Sequence, residues 1–456
     1  MSALSALAAG REAPDATALV VSGRIWTWGE VSGRVAALLS ALPAGDGPVA
    51  LVGTARLSTA LGLLALIEAG RPAVVLHPRL SAAEQEEQLA ALGLRGRWQV
   101  PELQAVKDEP ATPEIDPERG LAILFSSGST GAPKAVLLSR RAFVASAAAH
   151  AKNLPFLPGD RWALAMPLGH VGGLSILTRA LIARAAVAFW EPEPGASHTP
   201  FQADLLLDRL EADGATLLSV VPTMLSALLE TGRELPRRIR GILLGGAAAP
   251  PGLLSQAAAR GWPVLATYGL TEACSQLCTW PPGARPDPAL GVGPPLPGVQ
   301  LRVVDGEVQA RGDMLCSGLL PPGAHPSPFT PDGWLRTGDL GTIDTAGHLH
   351  LSGRRSELII TGGENVSPAQ VEAALSLCPG VSGVVVFGQP DPRYGEIVAA
   401  AVVLQAGVDI QRVESWCQTH LAPHRRPRAW LRLDALPFGA NGKVDRRAVV
   451  AMTQRG

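Results

Sequence analysis

The sequence predicts an α/β fold: a large N-terminal unit of mixed and parallel sheets covered by helices, then a small α+β unit. Three observations carry this reading. Apolar residues make up 47% of the 456 positions, ample for a large buried core. Short apolar, β-rich runs alternate with longer Ala/Leu-rich runs at the spacing of βαβ units. After about residue 350 the texture changes to a compact pattern of helix, two strands, helix and a basic stretch.

In chain order, PVALVG (48–53) predicts a strand, LSTALGLLALIEAG (57–70) a helix and PAVVLH (72–77) a parallel strand. Strand-like runs recur at 187–190, 216–221 and 239–246, with helical candidates at 202–214 and 251–261. In the second unit, 367–380 predicts a helix, with Ser367 as N-cap and Pro368 at the first helical position. VSGVVVFGQ (381–389) and EIVAAAVVL (396–404) predict strands, 413–422 a helix, and HRRPR (424–428) forms a basic stretch.

Composition removes several classes of function. Lys plus Arg (39) nearly cancels Asp plus Glu (40), so no bulk field favours nucleic acid or an anionic membrane. Five cysteines form no CxxC pair, which argues for reduced thiols rather than zinc or a disulfide framework. The N-terminus lacks a basic segment before its apolar stretch, and no run of about 18 apolar residues appears. The expected location is cytoplasmic.

Five motifs carry chemistry. Ile123–Ala135 runs from an apolar strand into Ser126-Ser127-Gly128-Ser129-Thr130-Gly131, with Lys134 following. Glycines and hydroxyls there expose donors to a phosphate, although a flexible Ser/Gly loop would share the composition. Thr267–Gln276 offers Tyr268 for stacking on a flat base, and Thr271 and Glu272 as oxygen ligands; Glu272 suits Mg2+. A strand-to-helix turn would look similar. In Gly333–Gly341, Asp339 follows Gly338 as an acid able to take ribose hydroxyls, or as part of a hairpin turn. Gly362-Gly363 in 353–368 reads as a glycine turn between strand and helix, or a surface of close approach. Asn441-Gly442 predicts a tight turn presenting Lys443.

All five in this order resemble the ANL superfamily of adenylate-forming enzymes, over nearly the whole chain. The resemblance implies an ATP-dependent acid–thiol ligase that first forms an acyl-adenylate and then an acyl-CoA thioester. ATP, Mg2+ and coenzyme A would be required. Ser126, Ser127, Gly128, Ser129, Thr130, Gly131 and Lys134 would grip the β- and γ-phosphates. Tyr268, beside Gly269, would stack on adenine, with Gly245, Gly246 and Ala247 lining the purine. Thr271 would touch the α-phosphate, Glu272 would hold Mg2+, and Asp339 would bind the ribose with Arg354 assisting. Lys443 would bridge the reacting carboxylate, the α-phosphate and a ribose oxygen. His170, in 167–173, would gate the acyl pocket, although Gly169 stands where relatives often carry an aromatic residue. Residues 1–354 would form the adenylate-forming domain and 355–456 a mobile lid pivoting at Ser356. In its second orientation Gly362, Gly363, Glu364 and Asn365 would help form the coenzyme A tunnel.

Within the superfamily the short build is most similar to the o-succinylbenzoate–CoA ligases of menaquinone biosynthesis. That branch places Val221, Thr223, Gly246, Ser275 and Gln276, with His170, around an aromatic acid. The chain ends soon after Lys443, which disfavours a multimodular synthetase. A second carboxylate on the substrate needs a cation or several donors, and residues 224–227, where some members carry an arginine, supply none. Another aryl- or acyl-CoA ligase therefore stays as an alternative. A catalytically silent binding protein is disfavoured by intact Lys134, Glu272, Asp339 and Lys443. The partners implied are a small carboxylic acid, ATP and coenzyme A, without nucleic acid or membrane insertion; a homo-oligomer is left open.

Overall fold

The computed structural model describes residues 4–106, 110–111, 114–126, 133–284, 291–439 and 444–453. Its backbone is a mixed α/β arrangement of four sheets. The largest has eight strands in the order Ser275–Thr279, Val264–Leu270, Gly241–Leu244, Leu217–Val220, Arg161–Ala163, Ala186–Phe189, Thr17–Val21 and Arg24–Thr27. Its six inner strands pair in parallel, and an antiparallel hairpin closes each edge. The central strands are buried along their full length, which is why they read as continuous apolar runs rather than alternating ones.

A second sheet holds the predicted βαβ unit. Val49–Val52 and Ala73–Leu76 run parallel, with Leu57–Glu68 crossing between them, and Gly120–Ser126 extends the parallel set. Lys134–Ser139 and Gly318–Leu320 add antiparallel strands on its far side. The main apolar core joins these two sheets through Trp28, Trp162, Phe143 and Phe189, all fully buried. The sequence-level repetition of βαβ patterns therefore belongs to two sheets, a division that periodicity does not reveal. A third, antiparallel sheet comprises Gln300–Val304, Glu307–Arg311, Leu335–Ile343 and Leu349–Arg354.

The last sheet lies wholly beyond residue 358. Glu364–Val366, Ile359–Thr361, Gly395–Leu404 and Val381–Asp391 pair in that order, and Ala429–Leu433 joins Gly395–Leu404 in parallel. Helices Pro368–Leu375 and Ile410–His420 cover it, burying Val371, Leu375, Val413 and Cys417. Pro368 occupies the first helical turn as expected. Ser367 sits at the N-cap without capping. Its hydroxyl instead donates to the Ser352 carbonyl, where Gly353 leaves the space. All five cysteines are buried free thiols. Among the described residues, no helix is long and apolar enough to cross a membrane.

Candidate active site

Parallel strands leave their carboxyl ends along one edge of a sheet, where ligands of α/β proteins gather. The anticipated residues stand at such ends. Val221 follows Leu217–Val220, Gly245 follows Gly241–Leu244, and Tyr268 through Thr271 finish Val264–Leu270 and begin the next turn. Ser126 ends Gly120–Ser126 in the neighbouring sheet. The two sheets meet there: Ser126 Oγ donates to Glu272 Oε1 at 3.2 Å. Lys134 lies opposite Ser126 in the antiparallel register, so the two residues form the base of the Ser/Gly loop. Ser127, Gly128, Ser129, Thr130 and Gly131, and likewise Lys443, lie outside the described residues.

The Tyr268–Gln276 segment is a tight reversal, not the start of a helix. Thr271–Ala273 makes one 3-10 turn, and Ser275–Thr279 returns antiparallel to the strand before it. A Cβ on Gly269 would lie 1.6 Å from the Ser275 carbonyl oxygen, so the hairpin requires glycine at that position. Glu272 is half-buried at the turn, and its own carbonyl accepts the Cys316 N–H. Among the described residues, no group of three His, Cys, Asp or Glu side chains converges on a metal position. One carboxylate beside a phosphate loop nevertheless fits Mg2+, which takes one or two carboxylates and completes its shell with phosphate oxygens and water.

Thr337-Gly338-Asp339 lies inside the strand Leu335–Ile343 rather than in a hairpin turn, with Gly338 at φ +72° where the register with Glu307–Arg311 shifts. The irregularity aims Asp339 at Tyr268. The Tyr268 hydroxyl donates to Asp339 Oδ2 at 2.7 Å, and Arg354 Nε, directly across the ladder, donates to Oδ1 at 2.7 Å. Burial, then the Asp339 charge, holds the Tyr268 phenol well above its usual range, so it remains the donor. A carboxylate has about four acceptor positions. Two are used here, and two are left to match a pair of ribose hydroxyls.

On the acyl side, Gly245 packs against Thr267, Gly246 takes φ +84° beside Val221, and Ala247 is exposed. Thr223 is exposed in the first turn of Pro222–Glu230, and Ser275 is half-buried at φ +98°. His170 caps the helix Val171–Ala183, its Nδ1 accepting from Gly172 N at 3.1 Å. A Cβ on Gly169 would lie 2.7 Å from the Leu76 carbonyl oxygen and 2.9 Å from His77 Cα. The aromatic residue that relatives often carry there has no room. His77 follows Ala73–Leu76 at its carboxyl end, pushed down to about 4 by burial, then by His170, Arg79 and His198.

Gln276 faces the interior. Its Nε2 donates to Thr267 and Thr279, and its Oε1 sits 3.0 Å from His150 Nδ1. Beside it lies Arg179, 4% exposed, reaching Ser146 Oγ at 3.4 Å and standing 5.9 Å from the Trp162 ring. Among the described residues no carboxylate pairs with Arg179, and its Nε has no hydrogen-bond partner. Burial pushes it down to about 10, with the Cys274 thiolate form acting against that. The cation missing from 224–227 is thus present in a different helix, Val171–Ala183. Its signal in the sequence was an arginine within an otherwise apolar helix, a residue rarely buried without a partner.

The hinge and tunnel candidates are not brought to this edge. Ser356 is exposed in the 3-10 turn Arg355–Glu357. Gly362 and Gly363 (φ +58° and +85°) form a two-residue turn between two strands, Ile359–Thr361 and Glu364–Val366, rather than between strand and helix. Among the described residues, no hydrogen bond or ion pair joins Gly362, Gly363 or Glu364 to Tyr268, Glu272 or Asp339.

Known proteins share this arrangement. The AMP-binding enzyme model matches residues 93–319, and that of the AMP-binding enzyme C-terminal domain matches 370–443. A 2-succinylbenzoate–CoA ligase from Bacillus velezensis is 33% identical, covering 95% of this chain and 94% of its own. One from Enterococcus faecalis is 31% identical, covering 94% of each. A solved Bacillus subtilis o-succinylbenzoate CoA synthetase in complex with its acyl-adenylate superposes with a TM-score of 0.87 at 30% identity, over 97% of each chain. The same enzyme with ATP and magnesium ion gives 0.84 at 30% identity, over 97% of this chain and 98% of that one.

Proposed function

The chain belongs to the AMP-binding enzymes, and on that premise we propose that it joins o-succinylbenzoate to coenzyme A with cleavage of ATP to AMP and pyrophosphate. The observation that carries the substrate is Arg179: a buried guanidinium without a carboxylate partner, against the Gln276 wall of the acyl side. Burying an unpaired charge is costly unless an anion meets it. The aromatic carboxylate of o-succinylbenzoate is such an anion, while the succinyl carboxylate reaches the α-phosphorus.

Adenylation then proceeds by positioning and electrostatics. Asp339 takes the ribose hydroxyls, held in place by Tyr268 and Arg354. The loop based on Ser126 and Lys134 holds the terminal phosphates as pyrophosphate departs. Mg2+ at Glu272 would supply charge neutralisation of the triphosphate. Lys443 stabilises the charge that builds between the carboxylate and the α-phosphate, more in the transition state than before it. We assign 1–354 to this half of the reaction and 355–456 to a lid that turns at Ser356. Once turned, Gly362, Gly363 and Glu364 face the thiol. The links joining the lid to the rest include Arg355 to the Asp305 carbonyl and Ser367 to the Ser352 carbonyl.

The test is product identification. With o-succinylbenzoate, ATP, Mg2+ and coenzyme A, mass spectrometry should find o-succinylbenzoyl-CoA and AMP in equal amounts. Thioester formation with an unsubstituted benzoate and none with o-succinylbenzoate would reject the substrate.

A further inference from the structure

His150 lies within electrostatic reach of Arg179, and a hydrogen-bond network orients its ring. The Cys278 carbonyl accepts from the Thr267 hydroxyl at 2.9 Å and the Thr279 hydroxyl at 2.7 Å, and the two hydroxyl oxygens lie 2.8 Å apart. Gln276 Nε2 donates to both hydroxyls, at 3.1 and 2.7 Å. Gln276 Oε1 therefore faces His150 Nδ1, and because that oxygen only accepts, Nδ1 carries the hydrogen. Nε2 is left as a bare lone pair. It is fully buried and has no partner among the described residues, as is also true of Arg179 Nε.

Four elements supply these two side chains and their neighbours: Ser146 and His150 from Arg140–Asn153, Arg179 from Val171–Ala183, Trp162 from Arg161–Ala163, and Gln276 from Ser275–Thr279. Among the described residues, the groups facing His150 contribute no unpaired anion. The Trp162 ring lies tilted at 5.1 Å, the Cys274 thiol is pushed up to about 12 by burial, and Arg240 is already tied to Asp160. Burial first, then the Arg179 charge, holds the imidazole neutral in this state, with the Gln276 bond opposing.

Building on the o-succinylbenzoate reading above, we infer that His150 is a specificity-determining residue that binds the second carboxylate together with Arg179, taking up a proton as that carboxylate enters. A carboxylate offers only acceptors, so it cannot meet a lone pair. Its negative charge offsets Arg179 and makes a second cation favourable, and a solvent proton then converts Nε2 into a donor.

The experiment compares o-succinylbenzoate with 4-oxo-4-phenylbutanoate, which keeps the reacting succinyl carboxylate and carries hydrogen in place of the second, aromatic one. Enzymes to be compared are the wild type, His150→Phe, which keeps a ring against Trp162, and His150→Asn. The ratio of kcat/KM for the diacid over the monoacid should fall about 10- to 100-fold in both variants, as expected for a lost charged hydrogen bond, while the monoacid value holds. Calorimetry with the sulfamoyl analogue of o-succinylbenzoyl-adenylate, in buffers of different ionisation enthalpy, should count about one proton taken up by the wild type and none by His150→Asn. An unchanged ratio, a loss falling equally on both acids, or no uptake by the wild type would overturn the inference while leaving the substrate intact. A wild type that does not prefer the diacid would instead overturn the substrate reading, and this inference with it.

Discussion

Asp339 shows how a single carboxylate is prepared for its ligand. Tyr268 and Arg354 each take one oxygen at 2.7 Å, so the orientation is set in advance for the ribose proposed as its ligand. Removing the phenol in Tyr268→Phe forfeits a hydrogen bond to a charged group, about 1.5–3 kcal/mol. The KM for ATP should rise about 10- to 100-fold, with a smaller change in kcat; an unchanged KM would mean that Asp339 does not depend on Tyr268. Tyr268, Asp339 and Arg354 were legible as motif residues because each is a rare chemical type among glycines and small residues. Arg179 and His150 were not. Their meaning lies in one buried nitrogen of each that has no partner among the described residues, which depends on which helices and strands pack around them.

At the level of elements, the largest differences between expectation and structure all involve glycine turns. Composition marks a turn but leaves the next element unspecified. The Tyr268–Gln276 reversal leads to a strand because Gly269 lets the returning chain approach. Gly338 bends a continuous strand, and Gly362-Gly363 joins two strands. Gly269→Ala should thus disrupt the hairpin that carries Thr271 and Glu272. The expected result is a lower Tm together with loss of ATP–pyrophosphate exchange; full exchange at an unchanged Tm would contradict the reading. Similar logic applies to the C-terminal helix Arg446–Thr453. Arg446 meets both oxygens of Glu372, the nearer at 2.5 Å, and lies 3.7 Å from Glu357. The Phe438–Val444 bridge closes the base of the segment between them, which carries Lys443. Arg446→Met should slow adenylation more than thioester formation from supplied acyl-adenylate; equal loss would assign the pair to stability alone.

Over the whole molecule, the sequence pattern and the family its five motifs resemble were enough to anticipate a large α/β unit followed by a small α+β one. What periodicity left out was the sorting of strands among four sheets, because parallel strands buried on both faces look alike wherever they pair. The near-neutral charge agrees with the proposed function, in which a triphosphate would be met by a few placed groups such as Lys134 and Lys443 rather than by a basic surface. If the lid delivers Lys443 for the first half-reaction only, Lys443→Ala should abolish adenylate formation and spare thioester formation from supplied adenylate. The most direct test of the account is pyrophosphate release by the wild-type enzyme with o-succinylbenzoate, set against the same assay with 4-oxo-4-phenylbutanoate and benzoate. The account predicts rapid release with the diacid and release at least tenfold slower with the others. Equal release with all three acids, or none with the diacid, would contradict it.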